Sequence, residues 1–263
     1  KDSYRADIDA GFHILHIDPS IDIHSQPNTD QVLERVHELY DFCWSYAQQK
    51  KRDIIFEIGT EEQSGSNNTI DELEYTLENM RKFCKNNKIP YPFFIVVQVG
   101  TRVMEMRNVG SFDSPIRVIK EMPPEIQIPQ MIEICNQYGI FMKEHNTDYL
   151  STDSLRWQPR LGIHAANVAP EFGVAETKAL VGILKEKNHI DLLDEFLRIA
   201  YDSKKWEKWM TNNTSASDFD KSIIAGHYVF SSDEYINLKK EANQRIKGLD
   251  EFLKNQVKSS IFR

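Results

Sequence analysis

Five apolar runs along this chain end in side chains that can carry a proton, hold a cation or orient a polar ligand. In chain order these endings are His16 and Asp18; Glu57 with Thr60 and Glu61; Gln98; Glu144, His145 and Asp148; and Asn167. A purely structural run stops more often at Gly, Ser or Lys, so the endings carry weight together that none carries alone. His16 and Asp18 lie two residues apart, which on an extended strand turns both to the same side. Glu57 stands inside an otherwise apolar run, where a buried carboxylate needs a cation or hydrogen bonds to offset its desolvation. His145 is followed by Asn146, Thr147 and Asp148, so an imidazole and a carboxylate share one loop. That pattern suits a divalent-metal ligand or an acid/base pair, because neutral imidazole binds zinc and a carboxylate fixes its tautomer. A histidine hydrogen-bonded within a turn is the structural alternative, as a packed interior side chain is for one of His16 and Asp18.

Other chemistry-bearing residues read as structural. His13, His24, His37 and His189 have no polar partner nearby in sequence. Trp206 and Trp209 have helical spacing and lack the surrounding basic residues that a base-stacking surface needs. Ser64, Gly65 and Ser66 are too few for a phosphate-cradling loop and lack its Gly-Lys-Ser ending.

The strand ends matter only if the elements behind them aim at one place. Gly11 to Asp18 is a short apolar run stopped by Pro19 and Ser20, and it predicts a buried strand. A helix follows from about Asp30 to Lys50, with Val32, Leu33, Val36, Leu39, Tyr40, Cys43 and Ala47 on one stripe. Asp53 to Ile58 predicts a second strand, then a polar loop from Glu61 to Asn68. Thr69 to Glu72 forms a capping box opening a helix with Ile70, Leu73, Leu77, Met80 and Cys84 on one face. Phe93 to Gln98 is the third strand. Gly100 to Pro124 is a long loop, of the kind usually functional or mobile. A helix from about Glu125 to Tyr138 stops at Gly139, a residue suited to a left-handed cap. Ile140 to His145 and Leu161 to Val168 are the fourth and fifth strands, and Pro170 opens a helix reaching Lys187. This alternation predicts an α/β fold with a parallel sheet wrapped by helices. In such sheets ligands gather at the carboxyl ends of the strands. From Ile190 only helices are expected: Ile190 to Tyr201, a Trp206/Trp209 segment, and a last one through Ile246, Leu249, Leu253 and Val257, with a polar loop from Thr211 to Asp220.

The chain has 263 residues, 40% hydrophobic and 27% charged, enough for one large core. Its net charge of −8 excludes a nucleic-acid or anionic-membrane surface, which needs a basic field. A sugar phosphate is compatible, since it needs only a local pocket of N–H groups and one or two cations. No apolar run is long enough to span a bilayer. Cys43, Cys84 and Cys135 are few, dispersed and in apolar helical register, which predicts reduced core thiols and a cytoplasmic protein.

Several patches together look familiar: Ala10 to Ser20, Phe56 to Glu61, Ile95 to Gly100, Glu144 to Tyr149, Trp206 to Trp209 and Gly226 to Ser232. In order and spacing they resemble the family of tagatose-bisphosphate aldolase accessory, or non-catalytic, subunits over nearly the whole chain. The resemblance implies a TIM (β/α)8 barrel of the class II aldolase type with a helical C-terminal extension. The barrel portion would span 1–189 and the extension 190–263. The strands read here would be the fourth to eighth of such a barrel. The first three, and an Asp-His pair on the third, are absent from this sequence. Five strands cannot close a barrel, so a fragment is expected.

Carried toward the catalytic members of the superfamily, the resemblance implies a role for each strand end. His145 matches a zinc-binding histidine, and Asn167 to Glu171 is similar to a motif that holds the ketose. Glu57 matches a strand-end acid. Gln98 departs from the pattern, standing where a zinc-binding His is expected; other oxygen donors suit harder metals such as Mn, Mg or Ni. The expected assignments are Asp18 and Glu57 as acid/base groups, Gln98, Asp148 and Asn167 as substrate contacts, and His145 as ligand to a divalent metal. The expected function lies in ketose-phosphate metabolism, with a phosphorylated ketose as ligand. It would be exercised as an aldolase accessory subunit, as a metal-dependent ketose-6-phosphate 4-epimerase, or as a non-catalytic partner that stabilises a class II aldolase. The protein partner would be a catalytic aldolase subunit or another copy of the chain.

Overall fold

A computed structural model describes residues 1–20, 27–59, 69–114 and 122–262. His24, Thr60, Glu61 and the Ser64 to Ser66 stretch lie outside the described residues. In chain order the strands are β1 (Ile14–Ile17), β2 (Ile55–Ile58), β3 (Phe94–Val97), β4 (Val103–Met104), β5 (Arg107–Asn108), β6 (Phe141–Glu144) and β7 (Ala165–Ala166). The helices are α1 (Asp2–Ala10), α2 (Thr29–Lys50), α3 (Ile70–Asn87), α4 (Pro124–Tyr138), α5 (Thr152–Arg160), α6 (Pro170–Glu186), α7 (Ile190–Asp202), α8 (Asp218–Ala225), α9 (Asp233–Arg245) and α10 (Leu249–Ile261).

Five strands form one parallel sheet in the order β1-β2-β3-β6-β7, and β4 pairs with β5 as a small antiparallel hairpin. The five expected strands are all present and follow one another across the sheet, joined by helices. They do not form a closed eight-stranded barrel, in keeping with the expectation that five strands cannot close one. Among the described residues the sheet is a half-barrel with β1 and β7 as its edges, because closure needs a full ring of tilted, staggered strands.

The chain falls into two compact units: Lys1–Arg102, Gly110–Asn146 and Asp153–Asn167 form one, and Val103–Val109, Thr147–Thr152 and Val168–Arg263 form the other. In the first unit, the strand period of two divides the sheet into faces. Leu15 and Ile17, Phe56 and Ile58, Ile95 and Val97, and Met142 are buried in a core with Val36, Tyr40, Leu77, Met80 and Met131 of the helices. The opposite face carries Ile14, Ile55 and Phe141 toward the amino ends, and these are 47%, 39% and 40% exposed. The strands are thus covered on one face and open on part of the other, where the sequence reading expected burial on both. Cys43, Cys84 and Cys135 are free and buried in this core, and burial pushes each thiol up to about 12.

Local signals explain the helix ends. Asn28 with Gln31 and Thr69 with Glu72 form capping boxes, and Gly139 takes a left-handed conformation at φ 66° behind α4. The second unit is built on α6 to α10, with Leu180, Leu184, Phe196, Leu238 and Leu253 at its centre. The last expected helix is two, α9 and α10, separated at Ile246 to Gly248, where Gly248 has φ 78°. Ser217 caps α8, so the expected polar loop ends there and not at Asp220.

Candidate active site at the strand ends

The open face of the sheet turns polar toward the carboxyl ends of its strands. His16 and Glu57 are register partners on β1 and β2, and parallel register puts both side chains on one side. His16 Nδ1 lies 2.9 Å from Glu57 Oε1. Lys143, on the same face of β6, places Nζ 2.7 Å from Glu57 Oε2. Each oxygen of a carboxylate that is only 2% exposed therefore has its own donor. Burial pushes the Glu57 carboxyl up, but the hydrogen bonds from His16 and Lys143 and the lysine's charge outweigh it, and the group ends below its ordinary value.

Asp18 continues the cluster from the end of β1. Its Oδ1 accepts the Ser20 N–H at 3.0 Å, and its Oδ2 stands 3.9 Å from His16 Nε2. His145 follows β6 and belongs to the same electrostatic neighbourhood. Burial lowers its pKa; the charge of Asp18 opposes this, His16 adds to it, Glu57 opposes it and Lys143 adds to it. Asp18, Glu57 and His145, predicted from three separate runs, are thus brought together with His16 and Lys143.

The loop carrying His145 is pinned from below. The His145 N–H donates to Val97 O at 3.0 Å, continuing the ladder one residue past β6. The Thr101 hydroxyl lies 2.6 Å from His145 O and 3.0 Å from Glu144 Oε1, which also accepts the Val99 N–H at 2.8 Å. Glu144 is completely buried, and burial pushes its carboxyl up to about 8. Gln98 is buried too, and its Oε1 accepts from Asn146 Nδ2 at 2.8 Å. Asn146 has φ 52°, a left-handed conformation that asparagine tolerates.

The remaining predicted residues are placed differently. Asn167 directly follows β7, and its N–H donates to Glu144 O at 2.9 Å. Asp148 belongs to the second unit. Its Oδ1 accepts the N–H groups of Ala169 and Glu171 at 2.9 and 2.8 Å, at the start of α6, where unpaired N–H groups need acceptors. Among the described residues no group of three or more His, Cys, Asp or Glu side chains is placed to hold a metal ion. His145 therefore has no such set around it there, and a site built on it would need donors from elsewhere.

Lys143 is the participant that sequence reasoning missed. Its signal was a lysine inside the apolar run from Ile140 to His145, the counterpart of the acid inside the run from Asp53 to Ile58.

With this geometry in view, solved structures supply a likeness. The chain shares its fold with UxaE, a fructuronate-tagaturonate epimerase. Three crystal structures of that protein from Cohnella laeviribosi align with the chain. The form with one glycerol does so at 11% identity and TM-score 0.54, covering 98% of this chain and 56% of that one. The form with two glycerols gives 12%, 0.62, 97% and 64%, and the native form 10%, 0.61, 99% and 64%. This chain thus spans about three fifths of the length of UxaE. No family model matches the sequence, and no curated protein matches it. The resemblance to tagatose-bisphosphate aldolase accessory subunits gains no match of its own.

Proposed function

We propose that this chain serves carbohydrate metabolism as a sugar epimerase, acting on an anionic ketose at the carboxyl ends of its parallel strands. One observation carries this reading: the His16–Glu57–Lys143 cluster, built around the buried Glu57 carboxylate and flanked by Asp18 and His145, stands where this fold places ligands. Two strands of support converge on the substrate class. The sequence resemblance points to a phosphorylated ketose, and UxaE, which shares the fold, is named for two keto sugars carrying a carboxylate. Inversion through retro-aldol cleavage and aldol rejoining needs a group that takes and returns a hydroxyl proton. Histidine and carboxylate side chains perform that task near neutral pH.

Asn167, Gln98 and Asp148 enter the proposal unequally. Asn167 remains a substrate contact at the end of β7, whereas Gln98 and Asp148 are engaged by Asn146 and by α6. A divalent metal would supply charge neutralisation to an enediolate, with His145 its ligand here, but the described residues do not complete a ligand set. Buried reduced thiols suit a cytoplasmic protein.

The test is incubation of the protein with fructose 6-phosphate, tagatose 6-phosphate and fructuronate, with the product sugars separated by chromatography. The expected result is the epimer of at least one; three unchanged sugars overturn the reading. A second reading, a non-catalytic partner of a class II aldolase, is favoured by the exposed Ile14, Ile55 and Phe141 on the sheet face. It expects a raised thermal midpoint for the aldolase on mixing, since binding only to the native state stabilises it.

A further inference from the structure

Within the cluster, the two carboxylates and the imidazole are not equivalent as proton carriers. Glu57 matches the expected acid on sequence grounds, yet both its oxygens are occupied, one by His16 and one by Lys143, and its side chain is 3% exposed. A substrate hydroxyl has no free oxygen to approach. An ionised carboxylate can only accept hydrogen bonds. The 2.9 Å contact therefore places a hydrogen on His16 Nδ1, and a neutral imidazole with Nδ1 protonated has its lone pair on Nε2. Among the described residues that nitrogen has no hydrogen-bond partner: Asp18 Oδ2 stands 3.9 Å away, beyond hydrogen-bond length, and the His16 side chain is 41% exposed.

We infer that His16 is the catalytic proton carrier of this site, with Nε2 its working atom, and that Glu57 is a positioning residue that fixes the imidazole's tautomer and orientation. The inference deepens the epimerase reading and rests on it. In the forward step Nε2 takes the proton of the hydroxyl on the carbon to be inverted. The electron pair of that O–H bond stays on the oxygen and becomes the second bond of a new C=O. The adjacent C–C bond breaks, and its pair passes to the carbonyl-bearing fragment as an enediolate. Re-addition of the enediolate to the other face of the new carbonyl restores the C–C bond. His16 returns its proton to the oxygen, so nothing is consumed.

Each neighbour has a part in this. The imidazolium formed in the first half is stabilised by Glu57 on one side and by Asp18 on the other. Lys143 keeps Glu57 ionised and therefore an acceptor.

The experiment compares wild type, His16→Gln, His16→Asn and Glu57→Gln. Epimer formation is followed from the three sugars named above, binding of the same sugars is measured by calorimetry, and imidazole tautomers are read by long-range 15N–1H NMR. His16→Gln and His16→Asn are expected to lose turnover by about 10²- to 10⁴-fold, the usual worth of a general acid/base, while sugar affinity changes by no more than a few fold. Wild type is expected to show His16 protonated at Nδ1. Glu57→Gln, whose amide donates where the carboxylate accepted, is expected to shift the proton to Nε2 and to lower turnover without abolishing sugar binding. Near-normal turnover in both His16 variants, or a wild-type His16 protonated at Nε2, overturns the inference. A wild type that binds but never converts a sugar brings down the epimerase reading and the catalytic role with it, while the tautomer measurement still decides whether the His16–Glu57 pair is arranged as argued.

Discussion

Glu57 and Asp148 are equally buried, each 2% exposed, one in each unit of the chain, yet their carboxyl groups are driven in opposite directions. Around Glu57, the hydrogen bonds from His16 and Lys143 and the ammonium charge overcome desolvation and hold the acid below its ordinary value. Around Asp148, desolvation wins over the hydrogen bonds from the N–H groups of Glu171 and Ala169, and the acid sits above its ordinary value. The difference shows that burial alone does not make a carboxylate a catalytic candidate. Glu57 is paired with side chains that can exchange or stabilise a proton, whereas Asp148 secures the first turn of α6. Two equally buried acids, one inside β2 and one in the loop after β6, have been put to two uses.

The sharpest way to break this contrast is to remove the cation. Lys143→Met keeps most of the side-chain volume but leaves Glu57 buried with His16 as its remaining described partner. Breaking a buried ion pair from one side is strongly destabilising, and about 3 kcal/mol is expected here in urea unfolding at neutral pH. The double variant Lys143→Met, Glu57→Gln should recover more than half of that loss, because the uncompensated charge disappears with its partner. Equal losses in the single and double variants would show that Lys143 acts through packing and not through Glu57.

On the Asp148 side the expected loss is smaller. Asp148→Ala removes the acceptor for two N–H groups at the start of α6 and should cost about 1.5 kcal/mol, in the range of helix-cap deletions. The pH dependences should then diverge. Glu57 has a lowered pKa, so its contribution to stability is present above its ordinary value of 4.5 and fades as pH falls through the native value. Asp148 has a raised pKa, so its ionisation works against the fold as pH rises above its ordinary value of 3.8. Unfolding measured from pH 3 to 7 should show the deficit of Glu57→Gln growing with pH, while Asp148→Asn gains on wild type over the same span. Parallel curves for the two variants would remove the distinction drawn between these sites.

The sequence carried much of the frame and part of the site. Strand positions, their parallel arrangement and the capping boxes at Asn28 and Thr69 depend on residues close together in the chain, and pattern alone could reach the strands and the Thr69 box. Asp18, Glu57 and His145 stand out in the sequence because polar side chains at strand ends are anomalous in apolar runs. Their pairing does not, because it depends on which side chain faces which across neighbouring strands. His16 opposes Glu57 only through the register of β1 on β2, and Lys143 reaches it from β6, 86 residues away. The partners of Asp148 were out of reach for the same reason, since residues 169 and 171 stand at the start of α6, beyond α5 and β7. Helices α1 and α5 escaped notice because few of their residues are buried: Ile8 in α1, and Ser154 and Gln158 in α5. A core-facing apolar stripe was therefore missing as a signal.

Two tyrosines extend the comparison between units to its smallest expected effect. Tyr40 in the first unit is completely buried, and its hydroxyl donates to Pro90 O at 2.9 Å. Tyr149 in the second unit also buries its hydroxyl, but that oxygen has no hydrogen-bond partner among the described residues, and the residue is held by its N–H donating to Glu171 Oε2 at 2.6 Å. Removing a satisfied buried hydroxyl loses its bond, so Tyr40→Phe should cost about 1 kcal/mol. Removing an unsatisfied one relieves its desolvation, so Tyr149→Phe should leave stability within about 0.5 kcal/mol of wild type or raise it slightly. The backbone of residue 149, at φ 60°, is as accessible to phenylalanine as to tyrosine and does not enter the difference. A Tyr149→Phe variant that unfolds as easily as Tyr40→Phe would mean that the hydroxyl is satisfied, by a polar partner outside the described residues.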